Sequence, residues 1–384
     1  MEKFTKILDD KRKYAEDWKK RTGGKILGYF DPYMPEELVY AAGVLPIRIL
    51  AEQGEDDVTD KQMYGNCYCT RSMLRQFING EYDYVDGLVH VETCQWLWNA
   101  FQTIVNNQPE MFNHYFFMPD YTDGKTSKDV ELSEMHVLKT RLEEWTGNTI
   151  TDESIDNAIE IYNTNRSLLR QLYELRRADN IVITGSETMK IMLAGQIMDK
   201  AEMNEMLKDF LVEVEEREPL ADGLRIMLIG SETYDAKLEE AIEALGAHVV
   251  IDEFDNGSSY IWNQVIPQKD RLLALSLRYL GRPHSALKDN VWRRRLEHIF
   301  ELSEDYQVDG VIISKQIYCH PHGTDMYAVW KLLRERNIPY HTLERDLTLP
   351  KTETKIRVEA FLNFISPGVT RMSGWSEKEN EVMN

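Results

Sequence analysis

The chain has 384 residues and is 42% hydrophobic, enough to bury a core in two or three domains of ordinary size. Its formal net charge of −20 argues against general nucleic-acid or anionic-membrane binding, since both need basic surface. Four cysteines are too few for a disulfide scaffold in a chain of this length.

The opening MEKFTKILDDKRKYAEDWKKRTG is charged and lacks the apolar centre of a signal peptide. No run reaches the apolar length of a membrane span. These features predict a soluble, cytoplasmic protein with reduced thiols. Residues 1–22 read as one amphipathic helix, with Phe4, Ile7, Leu8, Tyr14 and Trp18 on one face. KILGYF (25–30) reads as a strand. In DPYMPEELVYAAGVLPIRI, Pro35 suits a first helical turn, and Glu36 and Glu37 suit its dipole. Gly43 suits the position just past that helix, and Leu45–Leu50 the next strand. AEQGEDDVTDKQ reads as an acidic, solvated loop. TRSMLRQFI reads as a helix, Val85–Val91 as a strand, Trp98–Val105 as a helix and His114–Pro119 as a strand. Strands alternating with helices indicate a parallel sheet.

From 128 to 218 the pattern turns long, charged and helical, with a cap expected at the Asp of TDES. A second α/β unit begins at LRIMLIGS. AHVVIDEF, VDGVIISK and IPYHTLERD supply further strands, and DNGSS a loop. RLLALSLRYL, LKDNVWRRRLEHIFEL, MYAVWKLLRERN and KTETKIRVEAFLNFI read as helices between and after them. The expected fold is α/β: two flavodoxin-like parallel-sheet domains, 1–127 and 219–384, with 128–218 as a helical connector or cover. LIGSE carries one glycine rather than a dinucleotide fingerprint, and no P-loop exists in the chain. Gly230 reads as a tight-turn residue.

The cysteines are placed more tellingly than they are numbered. Cys94 and Cys319 each lie a few residues beyond an apolar strand and before a helix, where parallel sheets build their sites. Cys67 precedes a helix start, where the dipole favours a thiolate. Tyr64, Tyr68, Trp96, Trp98 and Tyr318 surround them and are suited to excluding water. These contexts predict that Cys67, Cys94 and Cys319 converge on one iron–sulfur cluster. The alternatives are scattered core thiols and a zinc site, although zinc commonly uses paired C-x₂-C units and this chain has only the C-x-C of Cys67 and Cys69. Cys69 as a fourth ligand would close the cluster; three ligands would leave one iron open. His320, His322, Glu92, Arg71 and Arg75 are polar candidates for proton supply or anion contact.

YMPEELVYAAGVLPIRI, NCYCTRS, VDGLVHVETC, RIMLIGS with ALGAHVVIDEFDNG, CHPHGTD, IPYHTLERD and IRVEAFLNF together resemble the 2-hydroxyacyl-CoA dehydratase and benzoyl-CoA reductase family over nearly the whole chain. The family pattern sets a cysteine four residues before a basic residue followed by Ser; here that residue is Arg71, which assigns the ligand role to Cys67 and leaves Cys69 as the extra thiol. Cys94 and Cys319 carry over directly, while Gln95 stands where the family often has Asp. The C-x-C stretch and the length look like the smaller cluster-bearing subunit of an ATP-dependent benzoyl-CoA reductase. The resemblance implies a [4Fe–4S] cluster, a related cluster-bearing partner subunit and an ATP-hydrolysing iron–sulfur activator. It also implies ferredoxin as electron source and an aromatic CoA ester, whose ring would be reduced by single electrons to a cyclic diene. A dehydratase subunit and a non-catalytic electron-relay subunit are the other roles the family offers.

Overall fold

The computed structural model describes residues 1–52, 66–283, 285–288, 292–345 and 351–366. Eight strands fall into two parallel sheets of four. β1 (Lys25–Tyr29), β2 (Val44–Arg48), β3 (Gly87–Val91) and β4 (Phe112–Phe116) form the first, in the order β2-β1-β3-β4. β5 (Arg225–Gly230), β6 (His248–Glu253), β7 (Gly310–Gln316) and β8 (Tyr340–Arg345) form the second, in the matching order β6-β5-β7-β8. The two parallel sheets of the α/β expectation are present. β1, β2, β3, β5 and β7 are short and buried almost throughout, because helices cover both faces of a parallel sheet, while the edge strands β4 and β8 are less enclosed.

In chain order the helices are α1 (Glu2–Asp9), α2 (Lys11–Thr22), α3 (Glu36–Ala41), α4 (Tyr68–Ile78), α5 (Gln95–Asn107), α6 (Ser127–Thr146), α7 (Asp152–Arg177) and α8 (Gly185–Gly195). There follow α9 (Lys200–Glu215), α10 (Lys237–Glu243), α11 (Ser258–Ile261), α12 (Arg271–Leu280), α13 (Trp292–Asp305), α14 (His320–Glu335) and α15 (Lys351–Ile365). The N-terminal segment is two helices rather than one. Asp10 leaves helical geometry, and its carboxylate caps α2 by accepting from the Lys13 amide. The cap of α7 is Thr151, whose hydroxyl accepts from Ser154, not the neighbouring Asp152. DNGSS contains the short α11, and α13 begins at Trp292, later than its sequence pattern; Ser285 and Lys288 form a bridged turn before it. Most of the acidic loop, from 53 to 62, lies outside the described residues.

Glycine does different work at two sites. Gly43 has φ +77, the left-handed conformation expected just past α3. Gly230 is not a left-handed turn residue. A Cβ there would stand 2.7 Å from both the Phe254 ring and the Ser314 carbonyl oxygen, so close strand packing is what demands glycine.

Two apolar cores cover the faces of the first sheet. One is built on Leu27, Tyr29, Val89 and Val91, the other on Ile26, Phe30, Ile47 and Leu88. A third surrounds the second sheet through Met227, Ile229, Ile251 and Ile313. α12 contributes Leu272, Leu275 and Tyr279 to the first sheet's core, so the chain crosses back after β6. Buried ion pairs join the layers. Glu36 meets Lys200 at 3.2 Å, and Glu37 pairs with Arg166 and accepts from the Tyr279 hydroxyl at 2.7 Å. Among the described residues no helix is long and apolar enough to cross a membrane.

Candidate cluster site between the two sheets

The carboxyl ends of both sheets meet at a polar seam. Arg48, the last residue of β2, is fully enclosed. Its guanidinium donates to Gln196 Oε1 at 3.0 Å, to the Phe30 carbonyl at 3.1 Å and to Glu232, just beyond β5. From the other side, Arg282 donates to the carbonyls of Pro32 and Asp255. A buried guanidinium needs several acceptors at once, and loop carbonyls at strand ends supply them.

Three helices begin at this seam, and each has a cysteine as its N-cap: Cys67 for α4, Cys94 for α5 and Cys319 for α14. Their positive dipole ends therefore lie at the thiols. The segment before Cys94 is tied to β1. Asp31 accepts from the Val91 amide at 3.2 Å and from the Thr93 hydroxyl, and stands 2.9 Å from His90 Nδ1. His90 is itself enclosed by Phe30, Trp98, Phe101 and Tyr115, with ring centres 5.8 to 6.3 Å away. Cys319 follows a turn closed by its own amide on the Gln316 carbonyl at 3.2 Å. The third residue of that turn, Tyr318, has φ +62, a place where glycine is usual.

Burial pushes all four thiols up, Cys94 to about 12. The thiols also act on one another. Cys67 raises Cys94, and both raise Cys319, which places the three within electrostatic reach. Opposing this, first-turn amides favour each thiolate: Cys69 and Thr70 for Cys67, Trp96 and Leu97 for Cys94, His322 for Cys319. None of the three sulfurs makes a side-chain capping hydrogen bond to the backbone, and Cys67 Sγ lies 3.0 Å from the Thr70 hydroxyl. One carboxylate acts on each thiol as well: Glu232 on Cys67, Asp31 on Cys94 and Asp255 on Cys319.

Among the described residues, no three His, Cys, Asp or Glu side chains gather tightly enough for a single metal ion. An iron–sulfur cluster makes a different demand, because each thiolate binds its own iron and the sulfurs stand farther apart. Thiols at helix N-termini with N–H groups around them suit that chemistry. Cys69 is placed differently. It lies inside the first turn of α4, is 5% exposed, and accepts from Gln316 Nε2 at 2.8 Å. Tyr234 also bonds it, and the Tyr234 hydroxyl donates to Glu232 at 2.6 Å.

A cleft of about 370 Å³ opens beside Cys94, lined by Thr93, Gln95, Trp96, His320 and Thr324. The His320 ring stands edge-on to Trp96, with centres 5.3 Å apart. Asp325 on its wall is paired with Arg295, and Asp120 with Lys288 at 2.7 Å. A larger groove of about 900 Å³, around Asn163, Ser167 and Gln264, contains no thiol, and the cysteine chemistry lies elsewhere. His322 is buried 3.1 Å from Asp255. Burial is the largest influence on Asp255 and raises it, but the hydrogen bond and charge of His322, with Ser285 and Arg295, together outweigh it and hold that carboxyl below its usual range.

The remaining candidates from sequence separate. Arg75 is buried and donates to the Glu52 carbonyl at 3.0 Å, so it faces a loop rather than an anion site. Arg71 stacks over Tyr68 at 5.2 Å. Glu92 bonds the Tyr115 hydroxyl and caps no helix. Trp96 lines the cleft and Trp98 packs on Tyr115, whereas Tyr318 is 61% exposed. Tyr64 lies outside the described residues. Arg48, Glu232 and Gln316 were not singled out from sequence. Arg48 alone left a trace, as the one charge in the apolar run VLPIRIL.

Residues 32–365 match the family profile described as 2-hydroxyglutaryl-CoA dehydratase, D-component. The chain belongs to this dehydratase family. It is 26% identical to a benzoyl-CoA reductase subunit of Thauera aromatica over 339 residues, covering 85% of this chain and 87% of that one. It is also 26% identical to the (R)-phenyllactyl-CoA dehydratase beta subunit of Clostridium sporogenes over 364 residues, 93% and 96% of the two chains. With the beta subunit of (R)-2-hydroxyglutaryl-CoA dehydratase of Acidaminococcus fermentans it shares 24% over 382 residues, 94% and 97% of the chains. The matched span of the dehydratase family includes every described strand except β1, and all three N-cap cysteines.

Proposed function

We propose that this chain is the [4Fe–4S]-bearing subunit of an enzyme that acts on a CoA thioester by single-electron chemistry, with Cys67, Cys94 and Cys319 as the cluster's ligands. The observation that carries the reading is the meeting of three N-cap thiols, drawn from both sheets, at one seam. A bound cluster supplies electrons one at a time at low potential. The chain's own residues provide its setting. The helix N-termini and first-turn amides favour thiolates. Asp31, Glu232 and Asp255 set negative charge beside them, which disfavours adding an electron and so lowers the potential. Thr93, Trp96 and His320 form the wall of the neighbouring cleft, and His320 is its titratable side chain, apart from the cysteine, that is not held in an ion pair.

The activity we favour is that of the cluster-bearing smaller subunit of an ATP-dependent benzoyl-CoA reductase. A related cluster-bearing subunit, an ATP-hydrolysing activator and ferredoxin would complete it. The likeness to the benzoyl-CoA reductase chain of Thauera aromatica supports this. A 2-hydroxyacyl-CoA dehydratase is the second reading. It is favoured by equal identity over a larger share of the chain in the phenyllactyl-CoA enzyme. The ligand set is tested by anaerobic iron and sulfide content of wild type beside Cys67→Ala, Cys94→Ala and Cys319→Ala. Each substitution is expected to abolish the visible and EPR signals of the cluster, and a variant that keeps the wild-type signals overturns that ligand. The activity is tested by turnover of the assembled complex with benzoyl-CoA and with a 2-hydroxyacyl-CoA. Diene formation without dehydration supports the reductase, and the reverse result replaces it with the dehydratase.

A further inference from the structure

We infer that Gln316 and Cys69 are positioning residues whose hydrogen bond holds the Cys67 helix and the Cys319 turn in register, so that the thiols face one another before iron arrives. This rests on the ligand reading above. The two segments hang from different sheets with separate apolar cores. All four cysteines are free, so no covalent link sets their spacing. What joins them directly is the bond from Gln316 Nε2 to Cys69 Sγ at 2.8 Å, between two side chains each 5% exposed.

Each end of this strut is two or three residues from a ligand. Gln316 ends β7, and its carbonyl receives the Cys319 amide at 3.2 Å, so its backbone shapes the turn while its side chain reaches the other half. Cys69 sits in the first turn of α4, two residues past Cys67. The hydrogen bonds continue beyond it. Tyr234 lies against the Cys69 sulfur, its hydroxyl donates to Glu232, and Glu232 is gripped by Arg48 at the end of β2. The chain of bonds thus links the ends of β7 and β2 to the loop after β5 by way of α4. The thiol serves here as a compact acceptor for Gln316, and a serine hydroxyl can accept in the same place.

The test loads the full-length chain with ferrous iron and sulfide anaerobically, following iron per chain, uptake rate and the EPR spectrum of the reduced protein, with circular dichroism to confirm folding. Gln316→Leu and Cys69→Ala are expected to slow uptake, or loosen iron against a chelator, by about tenfold, the scale typical for partners behind metal ligands. Both should broaden the EPR lines, while Cys69→Ser stays within about twofold of wild type, as retained partner groups require. Cys69→Ser losing the cluster as fully as Cys67→Ala makes Cys69 a ligand and overturns the inference. So does wild-type uptake with an unchanged spectrum in both Gln316→Leu and Cys69→Ala. Should Gln316→Leu fail to fold, the contrast between Cys69→Ala and Cys69→Ser decides alone. Failure of wild type to load, or loading of Cys67→Ala, sinks the ligand reading itself, a result distinct from normal loading with indifferent strut variants.

Discussion

Glu131 offers a test of the packing around the cleft that needs no cofactor. It lies on α6, fully buried, and among the described residues neither carboxylate oxygen has a hydrogen-bond partner. Burial pushes its carboxyl from the ordinary 4.5 to about 8, against the pull of Lys288. The native protein therefore keeps this proton at neutral pH, while the unfolded chain releases it above about 4.5. Stability from the bound proton is complete below the unfolded value. It is lost as pH rises, by about 1.4 kcal/mol per pH unit, until the folded carboxyl ionises as well. Between pH 5 and 8 the loss amounts to about 3–4 kcal/mol. Glu131→Gln removes the proton but keeps the shape, and its own unpaired amide costs the same at every pH. The variant should gain on wild type by that amount across the interval. Urea unfolding of both proteins at pH 5, 6, 7 and 8, with anaerobic reductant, measures the difference. Two stability profiles running parallel within about 1 kcal/mol would refute the buried, protonated carboxyl. The wall of the cleft is concerned too, since Lys288 follows Ala286 and Leu287, which line it, and donates to Asp120.

Arg48→Met should destabilise the protein by about 3–5 kcal/mol, because it leaves Glu232 buried without its cation, and Arg48→Met with Glu232→Leu should recover most of that. Urea midpoints measure both, and a single variant unfolding like wild type would show the pair to be dispensable. At Tyr318, where φ is +62, Tyr318→Gly should match or exceed the thermal midpoint of wild type, while Tyr318→Val should lose about 1 kcal/mol because a β-branched residue fits left-handed backbone worst. Equal midpoints for the glycine and valine variants would mean that the turn relaxes.

The strands were legible because a parallel sheet buried on both faces leaves unbroken apolar runs, such as GLVHV before Cys94 and GVIISKQ before Cys319. The cysteine positions were legible for the same reason, since a polar residue just past such a run lands at the sheet's carboxyl edge. What sequence did not disclose was pairing over distance. Glu36 and Glu37 read as ordinary first-turn acids, yet both are buried against Lys200 and Arg166, residues far along the chain. Arg48 and Glu232 carry no local signal of each other, and Gln316 reads as the polar end of a strand. Gly230 was expected to turn the chain, but its constraint comes from Phe254, just past β6, and Ser314 on β7, which no window around LIGSE contains. The break at Asp10 was hidden because apolar residues keep helical spacing on either side of it.

The bond from Gln316 to Cys69 joins positions 247 residues apart. On a ribosome, the third N-cap cysteine follows the second by about 225 residues. Through that interval the nascent protein carries an incomplete set of thiols, with α14 and its turn still untranslated. If these thiols hold the proposed cluster, a delivery system has nothing finished to fill until the second sheet has closed on the first. Any truncation before residue 319 leaves a well-patterned first sheet with two of the three N-cap thiols.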